Sequence, residues 1–228
     1  MSHRARTQKK PPKSLPKLHL ALNSEQKIGA QVIQDSTITY IQGKAGSGKT
    51  LLALHEALNA LHGNVIDTIF ITRPAVLAQE DIGYLPGNIK EKMDPYLIPI
   101  YDNLIKLYPN KEGKTGLALV EKYMENMELE IAPIGFMRGR TFVNSYLILD
   151  EAQNITVEQL KMAMTRIGKG TKMIIVGDIN QCDLKQNKHS GLFMLDRLEE
   201  KIPFLNKVEL YENHRDPIVQ QLLDAFEF

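Results

Sequence analysis

The sequence predicts an α/β fold: a mostly parallel sheet flanked by helices. Three observations predict it. Short runs of β-branched and apolar residues (38–41, 67–72, 146–149, 172–176 and 207–210) alternate with stretches of helix formers, the pattern of βαβ units. Gly43-Lys44-Ala45-Gly46-Ser47-Gly48-Lys49-Thr50 sits between the first such strand and the first strong helix and fits G-x-x-x-x-G-K-[ST]. The apolar run Tyr146-Leu147-Ile148-Leu149 ends in Asp150-Glu151, as a central buried strand does when its carboxyl end faces a site.

The chain has 228 residues, near the upper end for one compact unit. Its formal net charge is +1, so the whole molecule is no electrostatic magnet for nucleic acid. The charge is uneven. Arg4, Arg6, Lys9, Lys10, Lys13 and Lys17 share the first 17 residues with Pro11, Pro12 and Pro16 and with no acid. Residues 1–19 are therefore expected to form a flexible basic arm, either contacting phosphate backbones or merely solubilising the chain. The rest is slightly acidic, so any other nucleic-acid site must be local. Cys182 is the single cysteine, which excludes an intrachain disulfide and fits a reducing compartment. No apolar run reaches membrane-spanning length, and the basic start lacks a signal peptide's apolar stretch. A cytoplasmic protein is expected.

Taken in order, Asn23 or Ser24 is expected to cap a first helix over 22–34, turning Ile28, Val32 and Ile33 inward. The strand at 38–41, the Gly-rich turn and a helix from Leu51 follow, stopped near His62-Gly63. A strand over 67–72 ends in Arg73-Pro74. Repeated Pro and Gly then mark a helical excursion over about 79–127, with helical pieces at 88–107, interrupted by prolines, and 117–126. A short strand at 127–132, the 146–149 strand, a helix over 157–167 stopped by Gly168 and Gly170, and the strand at 172–176 complete the centre. A helix over 191–200, a strand near 207–210 and an amphipathic helix carrying Ile218, Val219, Leu222, Leu223 and Phe226 come last.

The Gly-rich turn gathers backbone N–H groups and a helix N-terminus at one point, and both attract anions. Lys49 would reach the β- and γ-phosphates of a nucleoside triphosphate, and the Thr50 hydroxyl would ligate Mg²⁺. Asp150 would hold the same ion through water. Glu151 would polarise an attacking water. A helix-capping acid pair is the plain alternative for Asp150-Glu151, and the upstream turn weighs against it. At the end of the 172–176 strand, Gln181 would orient water or sense the γ-phosphate, with Asp178 supporting the magnesium shell. Arg215 is a candidate cation for the transition state, or a surface residue at a helix end.

Met137-Arg138-Gly139-Arg140-Thr141 followed by Asp150-Glu151-Ala152-Gln153-Asn154 resembles the signature of the PhoH family, P-loop ATPases related to superfamily 1 helicases. Thr72-Arg73-Pro74-Ala75-Val76, Gly83-Tyr84-Leu85-Pro86-Gly87 and Gly177-Asp178-Ile179-Asn180-Gln181 are similar to the same pattern, and the resemblance covers residues 20–228. It implies a RecA-like core, ATP and Mg²⁺ as ligands, hydrolysis, and a role with RNA or single-stranded DNA, with helicase-like action open. It gives Gln26 the reading of adenine and Arg215 a meeting with the γ-phosphate. Arg73, Arg138 and Arg140 become contacts for nucleic acid or a neighbouring subunit's nucleotide; a solvated loop is the alternative for the last two. Tyr84, Tyr96 and Tyr101 are candidate stacking partners, or core. Against larger relatives the sequence shows no nuclease segment and no second RecA-like lobe. A homo-oligomeric ring, hexameric, with ATP between subunits is therefore expected. The rivals are a slow nucleotide-gated binding switch and a P-loop kinase.

Overall fold

The computed structural model describes Leu18 and residues 20–74, 89–108, 114–184 and 190–226. The basic arm, Tyr84 and the Gly83–Gly87 stretch lie outside the described residues. Among those described, six strands form one sheet: β1 Ile38–Gly43, β2 Thr68–Thr72, β3 Leu129–Ile131, β4 Ser145–Leu149, β5 Lys172–Gly177 and β6 Leu205–Leu210. The order is β3-β2-β4-β5-β1-β6 and every pairing is parallel. This is the mostly parallel sheet of a RecA-like P-loop fold. Among the described residues no helix is long and apolar enough to cross a membrane.

Alternation along the strands splits the core in two. Ile69 and Ile71 of β2, Ile148 of β4 and Ile174 of β5 face one side with Leu52, Leu54 and Leu58 of α2 (Lys49–His62). Phe70, Leu147, Leu149 and Ile175 face the other, against Leu160 of α5 (Val157–Met164) and Leu192 and Leu195 of α6 (Leu192–Glu199). Helices on both faces explain why the central strands read as continuous apolar runs rather than alternating ones. Phe70 is fully buried, its ring 4.8 Å from that of Phe142. Phe70→Ala should cost about 3–5 kcal/mol in urea unfolding, because the cavity adds to the lost transfer energy.

Three local expectations need correction. In α1 (Ser24–Asp35), Ile28 is exposed, while Gln26, Gly29, Ala30 and Ile33 are buried. Those four follow the helical i, i+3, i+4, i+7 rule, which puts Ile28 on the opposite side. α3 (Ile89–Leu107) runs unbroken through Pro95 and Pro99. Each proline removes one helical hydrogen bond, but Ile100, Leu104 and Leu107 bury a common stripe that holds the helix to the core. α2 ends at His62 with Gly63 as its C-cap, where a stop was expected, and Asn64 follows in the left-handed region (φ 55°). α5 stops at Met164, before Gly168, with Thr165 as its C-cap. The cap expected at Asn23 is present, as a capping box in which Asn23 accepts from the Gln26 N–H. α4 (Lys114–Glu125) packs beside α3, completing the helical excursion, and α7 (Pro217–Phe226) closes the described chain.

Candidate active site

The carboxyl ends of β1, β4 and β5 converge, with β5 lying between the other two. In parallel α/β sheets ligands bind beyond these ends. A cavity of about 510 Å³ lies there, lined by the Gly-rich loop, Asp150, Glu151, Asp178, Gln181 and Arg215. Its size suits a small-molecule ligand.

α2 begins at Lys49, and its N-cap, Gly48 (φ 81°), supplies no side-chain hydrogen bond. The first N–H groups of the helix are left for an anion. Gly46 (φ 86°) holds a backbone conformation that strains other residues, and a Cβ there would lie 2.5 Å from Asn213 Oδ1 and 2.6 Å from Arg215 Cγ. The His214 N–H donates to the Gly46 carbonyl at 3.0 Å, so the 213–215 segment closes over the loop of its own chain. Lys49 Nζ donates to the carbonyls of Gly43 (2.6 Å) and Lys44 (2.9 Å). Burial holds its ammonium below the usual lysine range, and Asp178, Glu151 and Asp150 pull against that. Gln26 is buried beside the same loop, its amide nitrogen 3.5 Å from the Ser47 carbonyl and 3.4 Å from His214 Nε2.

Thr50 Oγ1 donates to Asp150 Oδ1 at 2.8 Å. Asp150 is buried; burial and the neighbouring Glu151 raise its pKa, while Arg73 and the Thr50 hydroxyl lower it. A hydroxyl and a carboxylate converging beside a Gly-rich loop and a helix N-terminus suit a hard divalent cation. Among the described residues no group of three or more His, Cys, Asp or Glu forms a metal cage. The Thr50 and Asp150 oxygens fit an ion that completes its shell with water and phosphate oxygens, as Mg²⁺ does.

Glu151 stands in the left-handed backbone region (φ 52°), uncommon for a side chain with a Cβ. Both its carboxylate oxygens are engaged. Arg73 Nη2 donates to Oε1 at 2.7 Å, and Gln153 Nε2 donates to Oε2 at 2.6 Å. Gln153 is buried, and its Oε1 accepts from the Asp178 N–H at 3.1 Å. The Asp178 carboxylate in turn accepts from the Asn180 N–H and from Gln181 Nε2, both at 3.0 Å. One chain of hydrogen bonds thus joins the end of β2 to the end of β5 through Glu151.

The arginines divide. Arg215 lines the cavity in cis. Arg73, expected to face a nucleic-acid backbone, is paired with Glu151. Arg140 forks Glu130 at 2.6 and 2.8 Å and covers the Phe142 and Phe70 rings, 4.6 and 5.2 Å from their centroids. It is engaged inside its own chain. Arg138 is exposed and makes no ion pair with another described residue. Arg140→Ala should lower stability by about 1–2 kcal/mol in urea unfolding, combining a half-exposed pair with a cation–π contact. Tyr101 is half-buried, packed against the core, with its hydroxyl toward Met124. The Tyr96 side chain lies outside the described residues. Three contributors had no assigned role in the sequence reading. Gln153 sat unremarked inside the Asp-Glu-Ala-Gln-Asn run, while Asn103 and Lys106 reach the cavity from α3.

The sequence matches the model of the family "PhoH-like protein" over residues 20–227. It is 44% identical over 187 residues to a PhoH-like protein of Bacillus subtilis (strain 168), covering 81% of this chain and 56% of that protein. It is 42% identical over 184 residues to Protein PhoH of Escherichia coli (strain K12), covering 79% and 50%. The chain thus spans about half the length of the curated relatives it matches. The large terminase of a thermophilic bacteriophage shares the fold with a TM-score of 0.53 at 14% identity, over 90% of this chain and 50% of that one. On a family match through nearly all of the chain beyond the basic arm, and relatives above 40% identical, the chain belongs to the PhoH family.

Proposed function

We propose that this chain binds ATP with Mg²⁺ and hydrolyses it, and that turnover is coupled to RNA or single-stranded DNA. The observation that carries the reading is the Thr50–Asp150 hydrogen bond of 2.8 Å at the mouth of the Gly-rich loop, in a cavity that also takes in Lys49, Glu151, Gln181 and Arg215. Lys49 and the uncapped N–H groups of α2 would bind the β- and γ-phosphates. Thr50 and Asp150 would hold Mg²⁺, which when bound offsets the charge of the phosphate oxygens. Glu151 would accept a proton from water as its oxygen attacks the γ-phosphorus and the bond to ADP breaks. Gln181 would orient that water, and Arg215 would stabilise charge on the transferring group. Gln26, beside the loop, is the proposed reader of adenine.

Assembly belongs to the same reading. A motor needs two walls that move about the nucleotide. A ring of copies, hexameric, would supply the second wall, with Arg138 placed to reach a neighbour or a nucleic-acid strand. The exposed Ile218 and Leu222 of α7, directly after Arg215, support an interface at this rim. A monomer in sedimentation with full ATPase activity would sink the ring.

The test is ATP hydrolysis by size-fractionated protein with and without single-stranded RNA and DNA at fixed salt, since phosphate contacts are salt-sensitive. Stimulation by either polymer is expected; absence of hydrolysis in all conditions would overturn the reading. One observation favours the second reading, a slow nucleotide-gated switch. With both Glu151 oxygens engaged by Arg73 and Gln153, basal turnover should be low.

A further inference from the structure

Glu151 faces the nucleotide cavity, whereas Arg73 does not line it. Arg73 reaches the carboxylate from the other side, from the carboxyl end of β2, and its side chain keeps 20% of its surface exposed. An anion approaching from the β2 side can therefore compete for the guanidinium without entering the phosphate cradle. The pair is also only partly buried, with Glu151 at 33%. A pair that keeps part of both side chains in solvent stays within reach of a competing anion, and a phosphate offers the guanidinium a charge-assisted partner in exchange. The guanidinium presents a planar fork that suits a phosphate as well as it suits a carboxylate.

We infer that Arg73 is a phosphodiester-binding residue whose two partners, the Glu151 carboxylate and a nucleic-acid backbone phosphate, exclude one another. This rests on the nucleic-acid part of the proposed function. With Arg73 on Glu151, one carboxylate oxygen is committed and the general base is held down. With Arg73 on a phosphate, Oε1 is released to take the proton of the attacking water. Gln153 stays on Oε2 in both states. Its carbonyl is fixed by the Asp178 N–H, so its amide can only donate toward Glu151. Arg73 is thus a positioning residue for the base and a binding residue for the polymer. It converts strand binding into an available carboxylate without any domain motion.

Mutual exclusion makes a reciprocal prediction. If a phosphate must pull Arg73 from Glu151, weakening the pair must tighten nucleic-acid binding by the same factor. The experiment measures the affinity of the full chain for a fluorescein-labelled single-stranded RNA and the matching DNA, without nucleotide and at fixed salt. It uses wild type, Glu151→Gln, Arg73→Ala and the double variant. Glu151→Gln should bind about tenfold more tightly than wild type, and the gain should vanish in the Arg73→Ala background. A gain that persists there would reflect loss of a nearby negative charge alone and would overturn the inference, as would no gain at all. No binding by any protein would overturn the inference together with the nucleic-acid part of the proposed function. Binding that ignores Glu151→Gln overturns the inference alone. In the ATPase assay, Arg73→Ala should raise basal kcat and lose stimulation by the polymer, with Arg73→Lys restoring part of it. A fall in basal kcat for Arg73→Ala would make Arg73 a structural prop instead.

Discussion

Glu151→Gln will lower kcat for ATP hydrolysis by about 10²–10⁴-fold, the usual contribution of a positioned general base, and leave ATP binding nearly unchanged. The expectation follows from the division of labour at the strand ends. In the proposed mechanism phosphate binding belongs to Lys49 and the start of α2, and the cation site to the hydrogen-bonded Thr50 and Asp150. Glu151 is in neither group, so neutralising it removes proton acceptance and loosens the hold on Arg73 while leaving the phosphate and cation sites in place. Its nearest rival is Asp178, which carries as many donors as Glu151 but is only 5% exposed, against 33% for the Glu151 side chain, so water reaches it less readily. The left-handed backbone at Glu151 argues the same way. Such a conformation costs of order 1–3 kcal/mol and is kept where the surroundings over-determine it. Phosphate-release kinetics and titration with a fluorescent ATP analogue read the two quantities separately. Turnover within a few-fold of wild type would remove Glu151 from the mechanism.

What the sequence made legible and what it hid follow from the range of the interactions involved. The Gly-rich loop could be read because its chemistry is local: φ, spacing and the helix start all lie within eight residues. Asp150 could be read because one buried strand announces its own end. Gln26 and Asn23 close a capping box within one turn, so that helix start was also visible. Ile28 was misplaced because the burial phase of a helix depends on what it packs against, and α1 leans on α2 and β6 with Gly29 as the close approach. The prolines of α3 carried a strong local signal for a break, and burial of Ile100, Leu104 and Leu107 outweighed it. The arginines were the least legible. A guanidinium that meets phosphate and one that forks a carboxylate look alike in a sequence. Only the fold shows that Glu130 meets Arg140 from the neighbouring edge of the sheet, and that Arg73 spans from β2 to the residues after β4. Asn103 and Lys106 share a helix face by their spacing, yet nothing local says that this face meets the phosphate loop.

Arg215→Ala should reduce kcat by about 10³-fold with little change in KM, because the cation acts where charge builds in the transition state. Such a residue can work from its own chain or from a neighbour's, and here the geometry favours its own. The Arg215 stem lies where a Cβ on Gly46 would fall, its N–H is held by Asn213 Oδ1 at 2.9 Å, and His214 is tied to the Gly46 carbonyl. A mixing experiment separates the two arrangements. Arg215→Ala and Glu151→Gln proteins are combined, allowed to exchange, and assayed for hydrolysis. If Arg215 serves its own cavity, every site in the mixture lacks either the base or the cation, and activity stays at the sum of the two variants. If it serves a neighbour, interfaces pairing an intact base with an intact arginine reappear and activity returns. The ring proposal survives the first outcome, because the second wall would then rest on Arg138 and α7. Under the second, the 213–215 segment would have to leave the loop it now covers, breaking the hydrogen bond from the His214 N–H to the Gly46 carbonyl.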